Sequence, residues 1–512
     1  MRWNILIGGE AGQGINAIAE IATEIFTSLG YYIFNYRDYQ SLIRGGHNFN
    51  IISVSEKPIA SFQDKIDCIV SIDENTFNIH KNSLEKNGIL IKGSQFPDAG
   101  RNINLALAGA LMKTFGIEKN IFLKKIKEKF PGKESFEAGE KGYNSAEKKY
   151  FLKKLNNKIN LMTGSKAVAL GAFNSGLTRY FAYPMTPATG VMEELASMQN
   201  KKNNLKVFQT ESEIAVVNNA LGASFAGANV MAGTSGGGYD LMTEALSFQG
   251  MTEIPLTIYL ASRGGPSTGL PTYNSQSDLD IALRGGHGEF PRIVVAPGDA
   301  HESITLTNQA LFLAGKFNAL SIILSDKHVA ESQFSFSEKI PSLQKIPLNR
   351  KIPSKDLVKC SSYEHNLIGD TSEDSASAIL GNERRLKKYN EIKNFCNKYE
   401  MIKIHGNKKS KNLVIGWGST KGAIIDAIAD GNLNCKFLQV LYLKPMSNKI
   451  KSEIQNAKNV YLIEYNSTGQ LGRLLREKTG YKIPEKNRIL KYDGRPFTSD
   501  ELIKELKMRG VK

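Results

Sequence analysis

Residues 207–272 contain the three segments that decide the fold, VFQTESEIAVVNNALGASFAGA (207–228), TSGGGYDLMTEAL (234–246) and SRGGPSTGLPT (262–272). The first segment opens with Glu211 and Glu213 and continues with small and apolar residues, which predicts a buried helix with carboxylates at its start. Two glycine-rich turns follow, and the second carries Arg263. This combination indicates the wall of a cofactor and substrate pocket rather than the inside of an ordinary core.

Each charged residue of this stretch also has a simpler explanation. Acids at a helix start complement the helix dipole, and this explanation fits one of the two glutamates. A carboxylate at the mouth of a buried helix can instead share a proton with a ring nitrogen, as a general acid–base partner must. Arg263 comes directly after the apolar strand PLTIYLA, which favours a bidentate contact with a carboxylate over a solvent-exposed loop arginine.

A proline-rich loop, YPMTPAT, ends the strand before this stretch and begins at Tyr183 and Pro184. Its two prolines fix the backbone and present the hydroxyl of Thr186 rigidly, where it can donate to a substrate oxygen. The alternative is a stiff turn without a ligand. The position at the carboxyl end of a strand, where α/β sheets bind ligands, favours the functional interpretation.

Working outward, the chain alternates strand and helix patterns, which predicts α/β domains with a largely parallel first sheet. A polar stretch over residues 131–158 is the candidate linker. Apolar runs such as 167–173, 255–262 and 319–325 are predicted to be strands or strand ends of a second block. Residues 333–408 are predicted to be an extended connector with a helix near 382–399, and a smaller α/β block follows.

The first strand runs into a glycine loop, GGEAGQG, that includes Gly12 and Gly14. Its spacing differs from the dinucleotide fingerprint, so a tight strand–helix turn is as good an explanation as an anion site. The segment Arg44-Gly-Gly-His47 lies between two predicted strands. It could meet a phosphate or carboxylate, or it could be a structural loop packed on a neighbouring domain.

Composition narrows the function classes. The 512 residues carry a net charge of +16, but the lysines are scattered and not interleaved with aromatics, so nucleic acid is not expected as a partner. No apolar run reaches the length of a membrane helix, and a cytoplasmic location is expected. The four cysteines lack metal-ligand spacing, so no metal site is expected here and any cluster should sit on another chain.

The ordered motifs YPMTPAT, QTESEIA, TSGGGYDLMTEAL, RGGPSTGLPT, QSDL and GGHGEFPRIVVAPGD closely resemble the α subunit of 2-oxoacid:ferredoxin oxidoreductases. GGEAGQGI and RGGHN resemble the γ domain of that family, fused in front. The resemblance implies a γ-type domain (1–160), a thiamine-diphosphate pyrimidine-binding domain (161–332), a connector (333–408) and a transketolase C-terminal-like domain (409–512). GPSTGLPT and QSDL are more similar to the 2-oxoglutarate or broad-substrate branch than to the pyruvate branch, although Met185 and Ser262 depart from the usual residues.

The resemblance also implies a shared site. Thiamine diphosphate would lie between this chain and a β subunit that carries Mg²⁺ and the [4Fe-4S] cluster, because this chain has no GDG motif and no cluster cysteines. Coenzyme A would take the acyl group and ferredoxin the electrons.

The resemblance assigns roles to single residues as well. Glu213 would bind N1′ of the aminopyrimidine, with Tyr183 and Pro184 nearby, and Glu211 would be a helix-start residue. Thr186 and Arg263 would bind the 2-oxoacid. The remaining loop positions would meet coenzyme A or a neighbouring domain: Gly12, Gly14, Arg44 and His47.

Three other functions remain open at this point. The β chain of a thiamine-dependent 2-oxoacid dehydrogenase would share the pocket but lack the N-terminal glycine block. A non-catalytic subunit that positions partners would not need Glu213, Thr186 and Arg263 together. A nucleotide-binding oxidoreductase would rest on the first glycine loop alone.

Overall fold

The structure, a computed structural model, describes residues 1–41, 45–200, 204–366 and 369–512. The chain forms two compact units. The first contains Met1–Met162, Ser332–Glu338 and Thr498–Lys504, and the second contains Thr163–Glu331, Lys339–Phe497 and Glu505–Lys512. Arg44 lies outside the described residues.

The strands and helices within these ranges follow in chain order. The strands are β1 (Arg2–Ala11), β2 (Tyr32–Asp38), β3 (Gly45–Ser55), β4 (Ile66–Ser71), β5 (Leu84–Lys92), β6 (Asn160–Thr163), β7 (Arg179–Ala182), β8 (Lys206–Gln209), β9 (Val230–Thr234), β10 (Leu256–Ser262), β11 (Arg292–Val295), β12 (Leu320–Asp326), β13 (Gln333–Phe336), β14 (Ile402–Gly406), β15 (Asn412–Trp417), β16 (Lys436–Val440), β17 (Tyr442–Lys444), β18 (Asn459–Glu464) and β19 (Arg488–Leu490). The helices are α1 (Ile15–Ser28), α2 (Glu74–His80), α3 (Ile103–Thr114), α4 (Lys119–Lys129), α5 (Lys133–Ser145), α6 (Gly164–Ser175), α7 (Thr189–Ser197), α8 (Glu213–Phe225), α9 (Gly236–Thr252), α10 (Leu279–Arg284), α11 (Ala300–Phe317), α12 (Lys327–Glu331), α13 (Ser375–Cys396), α14 (Thr420–Asp430), α15 (Lys449–Asn456), α16 (Gln470–Thr479) and α17 (Ser499–Met508).

The sheet of the first unit has the strand order β5-β4-β1-β3-β2-β13-β6. Strand β1 pairs in parallel with β4 but antiparallel with β3, and β2 pairs antiparallel with both β3 and β13. The prediction of a largely parallel sheet is therefore wrong for this unit. The connection between β2 and β3 is too short for a crossover helix, so these strands can only run antiparallel.

The predicted linker at residues 131–158 is also wrong, because α5 occupies its first half. Helix α5 packs closely against α3, and glycines make the approach possible. A side chain at Gly109 would collide with the backbone of Gly139, and one at Gly142 would collide with the carbonyl of Ala106. The glycines of this stretch allow close helix packing rather than chain flexibility.

The larger sheet of the second unit has the order β17-β11-β12-β10-β9-β7-β8. All six strands from β11 to β8 are parallel, and β17 joins the edge antiparallel to β11. The predicted strand at 167–173 is instead part of α6, which is capped by the Thr163 hydroxyl and ends at Gly176 with φ 92°. A short, uniformly apolar run does not distinguish a buried helix from a buried strand.

The connector at 333–408 contains more regular structure than predicted. Its first residues form β13, which pairs with β2, and its last residues form β14, which pairs with β16. The predicted helix at 382–399 is α13, and it begins earlier because the Asp374 side chain caps it by accepting from the Ser377 amide. A third sheet, in the order β14-β16-β15-β18-β19, forms the C-terminal part of the second unit.

A buried charge network joins the two sheets of the second unit. The Lys421 amino group contacts Asp299 and lies 2.7 Å from Glu302, and Lys403 lies 3.0 Å from the same glutamate. Gln439 donates to Glu302 at 2.7 Å. Burial opposes ionisation, but the two lysines hold the pKa of Glu302 well below its usual range. The network holds the C-terminal sheet beside helix α11.

The buried carboxyl group of Asp326, at the end of β12, should make the stability of the chain depend on pH. It accepts hydrogen bonds from the Ser419 hydroxyl and from the Val329 amide at 3.0 Å, and burial raises its pKa from 3.8 to about 6. Between these values the folded chain holds a proton that the unfolded chain has lost, so stability falls as the pH rises from 4 to 6. The full shift corresponds to about 3 kcal/mol. In Asp326→Asn, the midpoint of unfolding should change less with pH between 4 and 6 than it does in the wild type. Asp356→Asn, a change on the surface, should leave this pH dependence as it is in the wild type.

Candidate functional site

The candidate site lies at the carboxyl ends of β7, β9 and β10, where parallel sheets expose loops that can bind ligands. Helix α8 begins beside these strand ends with Ser212 as its cap, whose hydroxyl accepts from the Ala215 amide. Glu213 is the first helical residue and is only 4% exposed, whereas Glu211 precedes the cap and is exposed. The prediction of Glu211 as the helix-start acid is therefore wrong, because Glu213 occupies the first turn.

The Glu213 carboxylate faces the glycine-rich start of α9. Its Oε1 atom is enclosed, and no described residue gives it a hydrogen bond. A Cβ atom at Gly238 would lie 2.6 Å from that oxygen and would also collide with the Thr234 hydroxyl. The glycine is required here because it leaves room for the carboxylate. A buried carboxylate oxygen without a donor is costly unless a ligand supplies one.

Gly238→Ala should therefore destabilise the chain although alanine favours helices. The added methyl group would displace Glu213, and overpacking of this kind costs roughly 1–3 kcal/mol. Gly237→Ala is the matched control, since a Cβ atom there meets no atom within 4 Å. It should stabilise helix α9 by up to about 1 kcal/mol. Chemical denaturation of both variants checks the prediction, and equal stability of the two would contradict it.

Arg263 and Thr186 lie together in the structure. The Arg263 guanidinium donates from Nη1 to the main-chain oxygen of Thr186 at 3.0 Å, so the arginine is anchored to the proline-rich loop. Arg263 is half-buried, and burial lowers its pKa while the Asp278 and Glu213 carboxylates oppose that shift. The arginine thus acts in the same electrostatic field as Glu213, with its remaining N–H groups available for a bidentate contact.

Asp278 is a site residue that residue-level reasoning missed. Its Oδ2 atom is enclosed and receives no hydrogen bond from the described residues, and a Cβ atom at Gly236 would lie 2.6 Å from it. Burial raises the pKa of Asp278, and the Arg263 charge is among the groups that oppose the shift. The available signal was the motif QSDL: Asp278 stands at the cap of α10, yet its side chain does not cap that helix.

Ser235 adds an enclosed hydroxyl without a partner among the described residues. With Glu213 and Asp278, three polar side chains, at the end of β9 and at the starts of α8 and α10, each have an enclosed atom that receives no hydrogen bond from the described residues. Tyr183 and Pro184 lie on the exposed loop beyond β7. This concentration of unsatisfied groups is typical of a ligand site rather than a sealed core.

In the first unit, a cavity of about 290 Å³ opens at the glycine loop. Gly12 and Gly14 line it with positive φ angles of 92° and 87°, and Arg37 and Asn50 lie across it. His47 does not line this cavity.

The Nε2 atom of His47 lies 2.7 Å from the Nε2 atom of His80, and the His47 ring stacks on Phe49. Burial lowers the pKa of both histidines. The pair therefore forms a neutral hydrogen bond, and a role for His47 in binding an anion gains no support from this geometry.

The described residues contain no group of three or more His, Cys, Asp and Glu side chains arranged to hold a metal ion. None of their helices is long and apolar enough to cross a membrane.

The chain is similar to several known proteins. The family model "Pyruvate flavodoxin/ferredoxin oxidoreductase, thiamine diP-bdg" matches residues 171–400, and "Pyruvate ferredoxin/flavodoxin oxidoreductase" matches residues 4–102. The 2-oxoacid:ferredoxin oxidoreductase subunit alpha of Sulfolobus sp is 30% identical over 98% of this chain and 96% of its own length. The 2-oxoglutarate synthase subunit KorA of Methanocaldococcus jannaschii is 29% identical over 60% of this chain and 89% of its own length.

A solved structure is similar over the whole length. It is the 2-oxoglutarate:ferredoxin oxidoreductase of Magnetococcus marinus with 2-oxoglutarate, coenzyme A and succinyl-CoA bound. Its chain is 26% identical, the match covers 99% of both chains, and the TM-score is 0.89.

Proposed function

This chain belongs to the 2-oxoacid:ferredoxin oxidoreductases as an α subunit, and from that premise we propose how its residues serve the reaction. With a β subunit, it would catalyse the coenzyme A-dependent oxidative decarboxylation of a 2-oxoacid to an acyl-CoA and CO₂, with ferredoxin as electron acceptor. The observation that carries the proposal is the enclosed Glu213 oxygen that no described residue satisfies.

The residues around Glu213 fit the aminopyrimidine ring of thiamine diphosphate. The enclosed Oε1 atom needs a donor, and a protonated ring nitrogen supplies one. Gly238 leaves the carboxylate in place, and the start of α9 is open at Gly237, where a Cβ atom would meet no atom within 4 Å. Tyr183 and Pro184 would flank the ring from the exposed loop. The fit concerns the pyrimidine end alone, because a diphosphate and its metal would be held by the partner chain.

When bound, thiamine diphosphate supplies the carbon nucleophile and the electron sink that decarboxylation needs. Glu213 would hold a proton at N1′ of the aminopyrimidine, and its enclosure would keep that proton from exchanging freely with water.

Arg263 and Thr186 would position the 2-oxoacid. The arginine can bind a carboxylate through two N–H groups while a third holds the Thr186 main-chain oxygen. The Thr186 hydroxyl would donate to the keto oxygen. Because Asp278 and Glu213 are the anions near the guanidinium, an arriving carboxylate would meet their repulsion as well as the arginine's attraction, which limits the site to acids that engage the arginine directly.

Coenzyme A would use the glycine loop of the first unit. The cavity beside Gly12 and Gly14 is open where a side chain would stand at Gly12, and the start of α1 offers main-chain N–H groups to an anion. Arg37 adds a positive charge to the same cavity.

2-Oxoglutarate is the proposed substrate. The motifs GPSTGLPT and QSDL support it, as does the similarity to an enzyme solved with that acid. Mg²⁺ and the [4Fe-4S] cluster would sit on the β subunit.

The predicted boundaries at 160, 332 and 408 stay part of this proposal. Residues 161–332 would be the pyrimidine-binding domain and residues 409–512 the transketolase C-terminal-like domain.

Co-expression with the β-type reading frame tests the proposal. The purified complex should reduce ferredoxin with 2-oxoglutarate and coenzyme A, and this chain alone should not. Transfer of the electrons and the acyl group to a lipoyl carrier, without reduction of ferredoxin, would favour the dehydrogenase alternative. Full turnover without this chain would favour the alternative of a subunit that only positions partners.

A further inference from the structure

A second cavity in the second unit lies on residues that the proposed reaction does not use. It has a volume of about 440 Å³, which is within the range of small-molecule sites. Helix α13, the segment before β11, the end of β17 and helix α16 surround it. Its apolar wall is formed by Phe290, Pro291, Leu386 and Tyr389.

The polar wall of this cavity carries three cations, Arg385, Lys444 and Lys478. Two of them have a carboxylate partner: Arg385 lies 2.8 Å from Glu364, and Lys478 lies 2.8 Å from Glu477. Lys444 differs, because no carboxylate of the described residues lies within 4.0 Å of its amino group. Its amino group lies 5.9 Å from the centroid of the Tyr389 ring.

More positive charge surrounds Lys444. Burial, together with the charges of Arg292, Lys478 and Arg284, lowers its pKa to about 8, and the charge of Glu477 opposes this shift. Glu477 is already shared, since Arg284 and Lys478 both pair with it. The carboxylates on the cavity wall, Glu289 and Glu383, belong to exposed residues.

A half-buried lysine among like charges is electrostatically unfavourable, and the fold does not require a lysine at this position. The position pairs in the edge ladder with Val294, and any strand residue could occupy it. Such conflicts are expected where an external ligand completes the arrangement. An anion supplied from outside would neutralise Lys444 and relieve the repulsion from its neighbours.

The rings on the opposite wall indicate what else the ligand carries. Phe290 lies beneath the Arg292 guanidinium, 4.4 Å from its ring centroid, and Phe290 and Tyr389 both line the cavity. A flat apolar body between these side chains would bury area that water otherwise occupies.

We propose that this cavity, bounded by Lys444, Lys478, Tyr389 and Phe290, is a binding site for an organic anion: a phosphate or carboxylate group carried on a flat ring. The anion lies at Lys444 and Lys478, and the ring lies against Tyr389 and Phe290. The site is separate in its residues from the Glu213 pocket, and its occupancy does not depend on the reaction proposed above.

Isothermal titration of the purified complex of this chain with its β subunit tests the site. Phenyl phosphate and benzoate are the probes, as a phosphate and a carboxylate on a flat ring. Phenol and inorganic phosphate are the halves of the first probe, and benzamide and acetate represent the ring and the carboxylate of the second. At least one of the two complete probes should bind at least tenfold tighter than either half. Which of the two binds tells a phosphate ligand from a carboxylate ligand.

Lys444→Met should weaken that probe at least tenfold and leave turnover with 2-oxoglutarate unchanged. Lys449→Met changes an exposed lysine at the start of α15, and this variant should bind the probe as tightly as the wild type does. If Lys444→Met does not fold, Lys478→Met on the exposed end of α16 replaces it with the same expectation. Absence of binding by both complete probes, equal affinity for inorganic phosphate alone, or unchanged affinity in the lysine variants would overturn the proposal.

Discussion

Glu213→Gln should lower turnover of the complex with the β subunit by about 10²- to 10⁴-fold, the range expected for removal of a positioned acid–base group. Glutamine has nearly the same shape, so the space beside Gly238 stays filled. What is lost is the negative oxygen that can hold a proton at a ring nitrogen. Steady-state ferredoxin reduction with saturating 2-oxoglutarate and coenzyme A measures the effect, and gel filtration checks that the complex still assembles.

Glu211→Gln is the control that the chain itself offers. The two glutamates are separated by a single residue, yet Glu211 is exposed before the helix cap and Glu213 is enclosed. The control variant should keep at least half of the wild-type turnover. Retention of more than a tenth of the activity in Glu213→Gln, or an equal loss in Glu211→Gln, would remove Glu213 from the reaction.

Arg263→Ala should lower kcat/KM for the 2-oxoacid by about 10²-fold, which corresponds to roughly 2.7 kcal/mol of binding in the transition state. The loss combines a charged bidentate contact with the anchor between Arg263 and the Thr186 main-chain oxygen. The KM for coenzyme A should stay within about twofold of the wild type, because the glycine-loop cavity belongs to other residues.

Arg263→Lys separates the two contributions. Lysine keeps the charge but loses the planar pair of donors, so it should recover only part of the loss. Arg473→Ala, which removes an exposed arginine paired with Asp280, is the control and should leave the kinetics unchanged. A change confined to coenzyme A kinetics, or full rescue by lysine, would contradict a bidentate role for Arg263.

The side chains of the candidate site could be predicted from the sequence because each is a charged residue in an otherwise small or apolar segment. Glu213 is an acid at the start of a small-residue helix, and Arg263 is an arginine directly after an apolar strand. The structure brings Arg263 to the Thr186 backbone and into the field of Glu213. Patterns of this kind are local, so they can be seen without knowing the partners in space.

What the sequence could not provide depends on distant contacts. Asp278 looks like an ordinary helix cap, and its proximity to Gly236 and Arg263 appears only when two loops meet. Helix α5 was hidden because its polar, glycine-containing sequence resembles a linker until it packs against α3. The run at 167–173 is apolar throughout, so its periodicity could not separate helix from strand.

The most direct test of the central claim, that Glu213 holds a proton at N1′ of the cofactor, is a comparison of cofactor affinities rather than of rates. Equilibrium binding to the complex with the β subunit would be measured for thiamine diphosphate and for an analogue in which N1′ is replaced by C–H. The wild type and Glu211→Gln should both prefer the true cofactor at least tenfold. In Glu213→Gln the two affinities should agree within about twofold, because the partner of the ring nitrogen has been removed. An undiminished preference in Glu213→Gln would contradict the claim.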